Sequence, residues 1–177
     1  GAIARTAGSS DRRIPRTTMP RLYTVSFQAA SIANASGDYD LFEFDAATDK
    51  PIELLSVELG QYSELGDAAE EGLRLSVVRG NTTTGNGTST TPRPLSAADS
   101  AAGFAAETVA STPASAGTGV VLWSGIWSVR APGPIFPPLP QGSGFWTSGA
   151  DLLCVRLDAA VTDDLSLAGT ALLCEYP

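Results

Sequence analysis

Short runs in which apolar and polar side chains alternate set the strongest limit on what this chain can fold into. The clearest spans residues 72–79, where Leu73, Leu75 and Val77 fall on one side of an extended backbone and Arg74, Ser76 and Val78 on the other. Successive side chains of a strand point to opposite faces, so this is the pattern of a half-buried strand and not of a helix. Tyr23, Val25 and Phe27 alternate in the same way with Leu22, Thr24 and Ser26, and Leu41-Phe42-Glu43-Phe44 forms a second short run after the turn signal Ser36-Gly37-Asp38. In residues 51–59 the apolar phase shifts at Leu54-Leu55, which predicts a β-bulge or a strand buried on both faces. Further strands are expected over 104–109, 120–129, 152–157 and 165–176.

The segments between these runs are rich in turn formers. The chain holds 18 Gly and 12 Pro, and only 17% of its residues are charged against 43% hydrophobic, which excludes a disordered chain or a long solvated helix. Residues 80–94 read as a polar surface loop, and residues 96–102 as one or two helical turns with Ser96 as N-cap and Gly103 at C′. Five prolines in 132–140 remove ladder donors, so that stretch is expected to run extended across an edge or end of the sheets. About eight strands, one short helix and no βαβ rhythm predict an all-β fold, an antiparallel β-sandwich of jelly-roll-like form. No internal repeat is visible, and 177 residues suit one domain.

Charge divides the chain unevenly. Residues 1–21 carry five arginines and one aspartate, a net of +4, whereas residues 22–177 carry six basic and eighteen acidic groups, a net of −12. Residues 1–20 have only Ile3, Ile14 and Met19 as sizeable apolar groups and no periodicity. They are read as an extended N-terminal arm with no core of its own, preceding a sandwich domain over 21–177. Such an arm gains order from the body, a sister subunit or a different protein. Arg5, Arg12, Arg13 and Arg16 are its candidate partner-binding residues. No aromatic residue is interleaved with them and the body behind is acidic, so an acidic protein surface is expected as partner and not nucleic acid. The N-terminal residues have no apolar stretch of signal-peptide kind, and Met19-Pro20-Arg21 would serve as the start of a shorter product. No apolar run approaches the roughly 18 residues that span a bilayer, so no membrane association is expected.

Catalytic chemistry finds little support. The chain has no histidine, which removes the usual general base and the commonest metal ligand, and Lys50 is its single lysine. Glu70-Glu71, Asp38-Tyr39-Asp40 and Asp163-Asp164 are the carboxylate pairs that a glycosidase or a calcium site would use. Adjacent residues of a strand diverge, and the other two pairs lie in turn signals where Asp caps its own backbone, so solvated turns are expected. Gly85-Asn86-Gly87 lacks the lysine and the strand-to-helix setting of a phosphate loop. No enzyme activity, no cofactor and no metal is therefore predicted. Cys154 and Cys174 are read as buried thiols, and the sequons at Asn34, Asn81 and Asn86 as chance occurrences in Ser/Thr-rich loops. Trp123 and Trp127, four apart on one strand face, are expected in the core. Phe136 and Trp146, set among Pro and Gly, are expected to contact a partner.

Several stretches carry a resemblance. They are Met19-Pro20-Arg21-Leu22-Tyr23-Thr24-Val25, Asp49-Lys50-Pro51-Ile52-Glu53 and Gly66-Asp67-Ala68-Ala69-Glu70-Glu71, then Arg79-Gly80, Ala101-Ala102-Gly103-Phe104 and Thr112-Pro113-Ala114-Ser115-Ala116-Gly117-Thr118. Taken in order across 19–177, the chain resembles a family of small tailed-phage and prophage head-accessory proteins; residues 1–18, the Pro-rich segment and Trp146 fall outside the pattern. The resemblance implies a capsid decoration or cement protein, made in the host cytoplasm and located on the virion surface. Its implied partner is the major capsid protein, which it would bind as a homo-oligomer with a trimer favoured. Another virion component (tail, connector or fibre attachment) and a carbohydrate- or cell-surface-binding sandwich module are the competing expectations.

Overall fold

The computed structural model describes residues 19–34, 37–63, 71–131 and 133–177. Eight strands carry the fold: β1 (Arg21–Ile32), β2 (Tyr39–Asp45), β3 (Ile52–Gln61), β4 (Gly72–Asn81), β7 (Ala105–Ala110), β8 (Val120–Ser128), β11 (Leu152–Leu157) and β12 (Leu165–Glu175). They coincide with the eight alternating runs of the sequence. Four short pairings, β5 (Thr88–Ser89), β6 (Arg93–Pro94), β9 (Gly133–Pro134) and β10 (Phe145–Thr147), tie the loops to them.

All pairings are antiparallel and form two sheets. One runs β10-β3-β12-β1-β6, with β9 also on β3; the other runs β5-β7-β2-β11-β4-β8. From β1 to β4 the chain alternates between the sheets, and β11 and β12 return to opposite ones. Each sheet presents its apolar side to the other. Tyr23, Val25, Leu54, Val57, Leu167 and Leu173 come from the first, and Phe42, Phe44, Leu75, Val77, Leu153 and Val155 from the second. All are buried in one continuous core, which supplies the driving force that short strands lack alone. In the β3–β12 register, Leu173 pairs with Leu54 and Leu172 with Ser56, so Leu55 is the extra residue of a bulge at the expected phase change.

The expected helix is absent. Among the described residues there is no helix, and 96–102 makes one turn, closed by Asp99 N–H donating to Ser96 O at 3.0 Å. The run is too short to repay helix nucleation. The chain is instead drawn out by Tyr23 Oη and the Arg21 guanidinium, which bond the Ser100 carbonyl and hydroxyl. No helix of the described residues is long and apolar enough to cross a membrane.

The Pro-rich segment runs along the outer edge of β3. Pro134 pairs with Glu58, Ile135 N–H donates to Val57 O at 2.9 Å, Leu139 N–H donates to Leu55 O at 2.8 Å, and β10 completes the edge against Ile52–Leu54. Donors spaced between prolines satisfy a sheet edge without offering a new one.

Candidate functional site

Four carboxylates are buried among the described residues, Asp40, Glu43, Glu53 and Glu175, and the first three each lie beneath a loop. Asp40 accepts from Arg156 Nε at 2.6 Å and Nη2 at 2.9 Å, and from Ala114 N–H at 2.7 Å. This bidentate pair clamps the loop after β7 onto the sheet, over a small second cluster of Ala114, Leu152 and Cys154. Glu53 accepts from the backbone N–H groups of Gly142 and Gly144 and from Tyr176 Oη at 2.7 Å, fixing the end of the Pro-rich segment. Glu43 accepts from Gly85 N–H at 2.9 Å. Burial, opposed by that bond and reinforced by Asp40 and Glu107, pushes its carboxyl up to about 7.

Both cysteines are free and buried, and burial raises both thiols, which leaves them protonated and poorly nucleophilic. Of the predicted carboxylate pairs, Asp40 is the arginine-paired acid, and Glu71 accepts from the Thr162 amide and hydroxyl; Glu70 lies outside the described residues. Asn81 is buried and donates to Ala116 O, and Asn86 staples its loop to Ser111 and Thr112.

The candidate partner-binding residues fare differently from one another. Arg5, Arg12, Arg13 and Arg16 lie outside the described residues. Phe136 is not at the surface: it is 4% exposed and sits edge-on between Trp123 and Phe145, with centroids 5.5 and 5.3 Å away. The Pro-rich strap turns its ring inward because Ile135 and Leu139 bond β3, leaving the intervening aromatic to close the core beneath. Trp146 is half-buried, its ring tilted by 32° against Tyr176 with centroids 4.4 Å apart, and its carbonyl accepts from Arg79. Trp127 is in the core and Trp123 packs against it, as expected.

The surface that stands out is β8, the last strand of its sheet. It pairs with β4 from Gly72–Ser128 to Arg79–Val120, with Leu122 as a bulge residue, and among the described residues nothing pairs its other edge. Its sequence, Val-Val-Leu-Trp-Ser-Gly-Ile-Trp-Ser, has no charge and no proline. Trp123 and Trp127 turn inward; a Cβ on Gly125 would lie 2.4 Å from the Trp123 ring, so only glycine lets the indole fold back across the strand. Ile126 is 80% exposed, Val121 60% and Val120 48%. Native edges are commonly guarded by lysine, proline or a covering loop, and beyond its one bulge β8 has none of these among the described residues. Such an edge can accept a strand from a partner or pack its apolar face on one. Single-strand periodicity does not reveal an edge, so sequence reasoning missed this surface; the lack of any charge over nine residues was the available signal.

Comparison with family models, with curated proteins and with solved structures finds no match for this chain.

Proposed function

We propose that this protein is a non-enzymatic virion component, a capsid decoration or cement protein that attaches to the outer surface of an icosahedral phage head and clamps neighbouring capsomers. The observation that carries the reading is β8, an uncharged edge strand, unpaired on its outer side among the described residues, with exposed Val120, Val121 and Ile126 on an otherwise acidic sandwich. The order β10-β3-β12-β1-β6 facing β5-β7-β2-β11-β4-β8 supports a jelly-roll-like form, in which β12 pairs with β1 and β11 with β2. The major capsid protein is the partner this reading assigns, a homotrimer the favoured assembly and the capsid surface the location. The net −12 of residues 22–177 speaks against nucleic acid as a partner of the body. Multivalent attachment lets modest contacts per subunit add to strong retention on a lattice under internal pressure.

Purified protein mixed with assembled capsids should bind at a copy number matching lattice sites. Deleting residues 1–20 should weaken binding, and the Val121→Lys/Ile126→Lys double variant should reduce it at least tenfold. Undiminished decoration by the truncated chain removes the arm from the reading, and undiminished decoration by the lysine variant removes β8. A second reading, a carbohydrate-binding module, draws on Trp146, which borders a cavity of about 220 Å³ with Arg79, Ser148 and Asp151. An aromatic ring beside polar groups suits a sugar face. Glycan-array binding abolished by Trp146→Ala would favour it.

A further inference from the structure

Glu43 on β2 and Glu107 on β7 are directly opposed in the antiparallel register. Like charges placed so are destabilising even on an exposed face, and Glu43 is only 1% exposed. Each retains a buried carboxylate oxygen, Oε1 of Glu43 and Oε2 of Glu107, with no hydrogen-bond partner. Both side chains line one cavity of about 220 Å³, whose other walls are Asp45, Thr84, Ala105 and Ala106. The Gly85-Asn86-Gly87 turn lies against both carboxylates, and Gly85 N–H donates to Glu43. A Cβ on Gly85 would lie 2.6 Å from Glu43 Oε1 and one on Gly87 would lie 3.3 Å from Glu107 Oε2, so the turn approaches both oxygens as only glycine backbone does.

One ordinary way of settling a buried acid is closed, and another stays open at low pH. Arg156, on the far side of β2, is committed through Nε and Nη2 to Asp40. Glu107 acts on Glu43 through its charge alone, whereas Asp40 is a side-chain hydrogen-bond partner of the protonated Glu43 carboxyl, so a cation is called for only once both opposed carboxyls are ionised. What fits is a group large enough to touch both oxygens, positively charged and content with oxygen donors. We propose that Glu43 and Glu107 hold a hard divalent cation, calcium by class, beneath the Gly85–Gly87 turn. Among the described residues no three of His, Cys, Asp and Glu converge on one point. The remaining donors are therefore the Thr84 hydroxyl, backbone carbonyls of the turn and water, a mixed shell that calcium accepts and zinc does not. The cation would fasten the turn to the sheet much as Arg156 fastens the neighbouring loop. This site is independent of the capsid-binding reading.

The test uses the full chain, stripped with EDTA and returned to pH 8. Calcium titrated by calorimetry should bind at one site per chain and should raise the unfolding temperature by several degrees, with magnesium less effective. Glu107→Gln keeps the side-chain volume and should lower calcium affinity at least tenfold. Glu43→Gln should remove the thermal response while folding normally in EDTA, because it also relieves the charge opposition. The proposal is overturned by either of two results: no heat and no thermal shift with calcium, magnesium or manganese, or a calcium shift that survives the Glu43→Gln/Glu107→Gln double variant. Stabilisation by acid alone, with no calcium response, would also overturn it, since the pair would then be settled by protonation.

Discussion

The two sheets end in opposite ways. On one, the outer edge of β3 is sheathed from Glu58 to Ile52 by a strap of prolines and glycines whose Ile135 and Leu139 N–H groups bond it. On the other, β8 carries nine uncharged residues and ends the sheet with nothing beside it among the described residues. The strap is held from below by Phe136 and from its end by Glu53, so the chain invests a buried charge and an aromatic in closing one edge. The difference teaches that edge protection is available to this fold and is applied selectively, which is the pattern expected when the open edge has a use.

Breaking the closed side should have the largest effect. Phe136→Ala leaves a cavity between Trp123 and Phe145 and should cost about 3–5 kcal/mol in denaturant unfolding. Glu53→Gln replaces an acceptor of three donors with a group that is itself half donor. It should cost about 2–3 kcal/mol and release the strap end, visible as faster amide exchange at Gly142 and Gly144.

A third measurement probes the sheet that ends in β8, away from its edge. Glu43 is raised in the folded protein from 4.5 to about 7, so the native state binds the extra proton. The stability this supplies is full below pH 4.5 and is lost as pH rises to about 7. In EDTA, stability should therefore fall between pH 5 and pH 8 by on the order of 2 kcal/mol, and Glu43→Gln should flatten that slope. The smallest effect on stability belongs to the open edge. Ile126→Lys should stay within about 0.5 kcal/mol of the parent, yet sedimentation should show less self-association. A destabilised Ile126→Lys would mean that β8 serves the monomer fold, and the contrast between the edges would lose its functional meaning.

Most of the fold was legible because strand alternation is a local property. Leu73-Arg74-Leu75-Ser76-Val77 declares its faces without reference to the rest of the chain, and the bulge at Leu55 shows as a break in the same rhythm. What misled was local chemistry overruled by distant contacts. Ser96 and the alanines after it have good helical manners, but a turn seized by Tyr23 and Arg21 has no length in which to propagate. Phe136 looked exposed because prolines surround it, and its burial depends on hydrogen bonds to a strand some eighty residues earlier. Glu43, between Phe42 and Phe44, reads as an outward solvated residue; only the docking of the 82–89 loop covers it. The arginines that carried the partner expectation fall in 1–18, outside the described residues.

The placement of the last strand has a consequence for synthesis. β12 lies between β1 and β3, and β11 between β2 and β4, so neither sheet has its centre until the C-terminal residues are available. A nascent chain emerging from the ribosome would carry half-sheets with unfilled middles, and its contacts would be dominated by pairings of high sequence separation, which slow folding. Loss of a dozen C-terminal residues would not trim an edge; it would remove the keystone from one sheet and leave β1 and β3 facing a gap one strand wide.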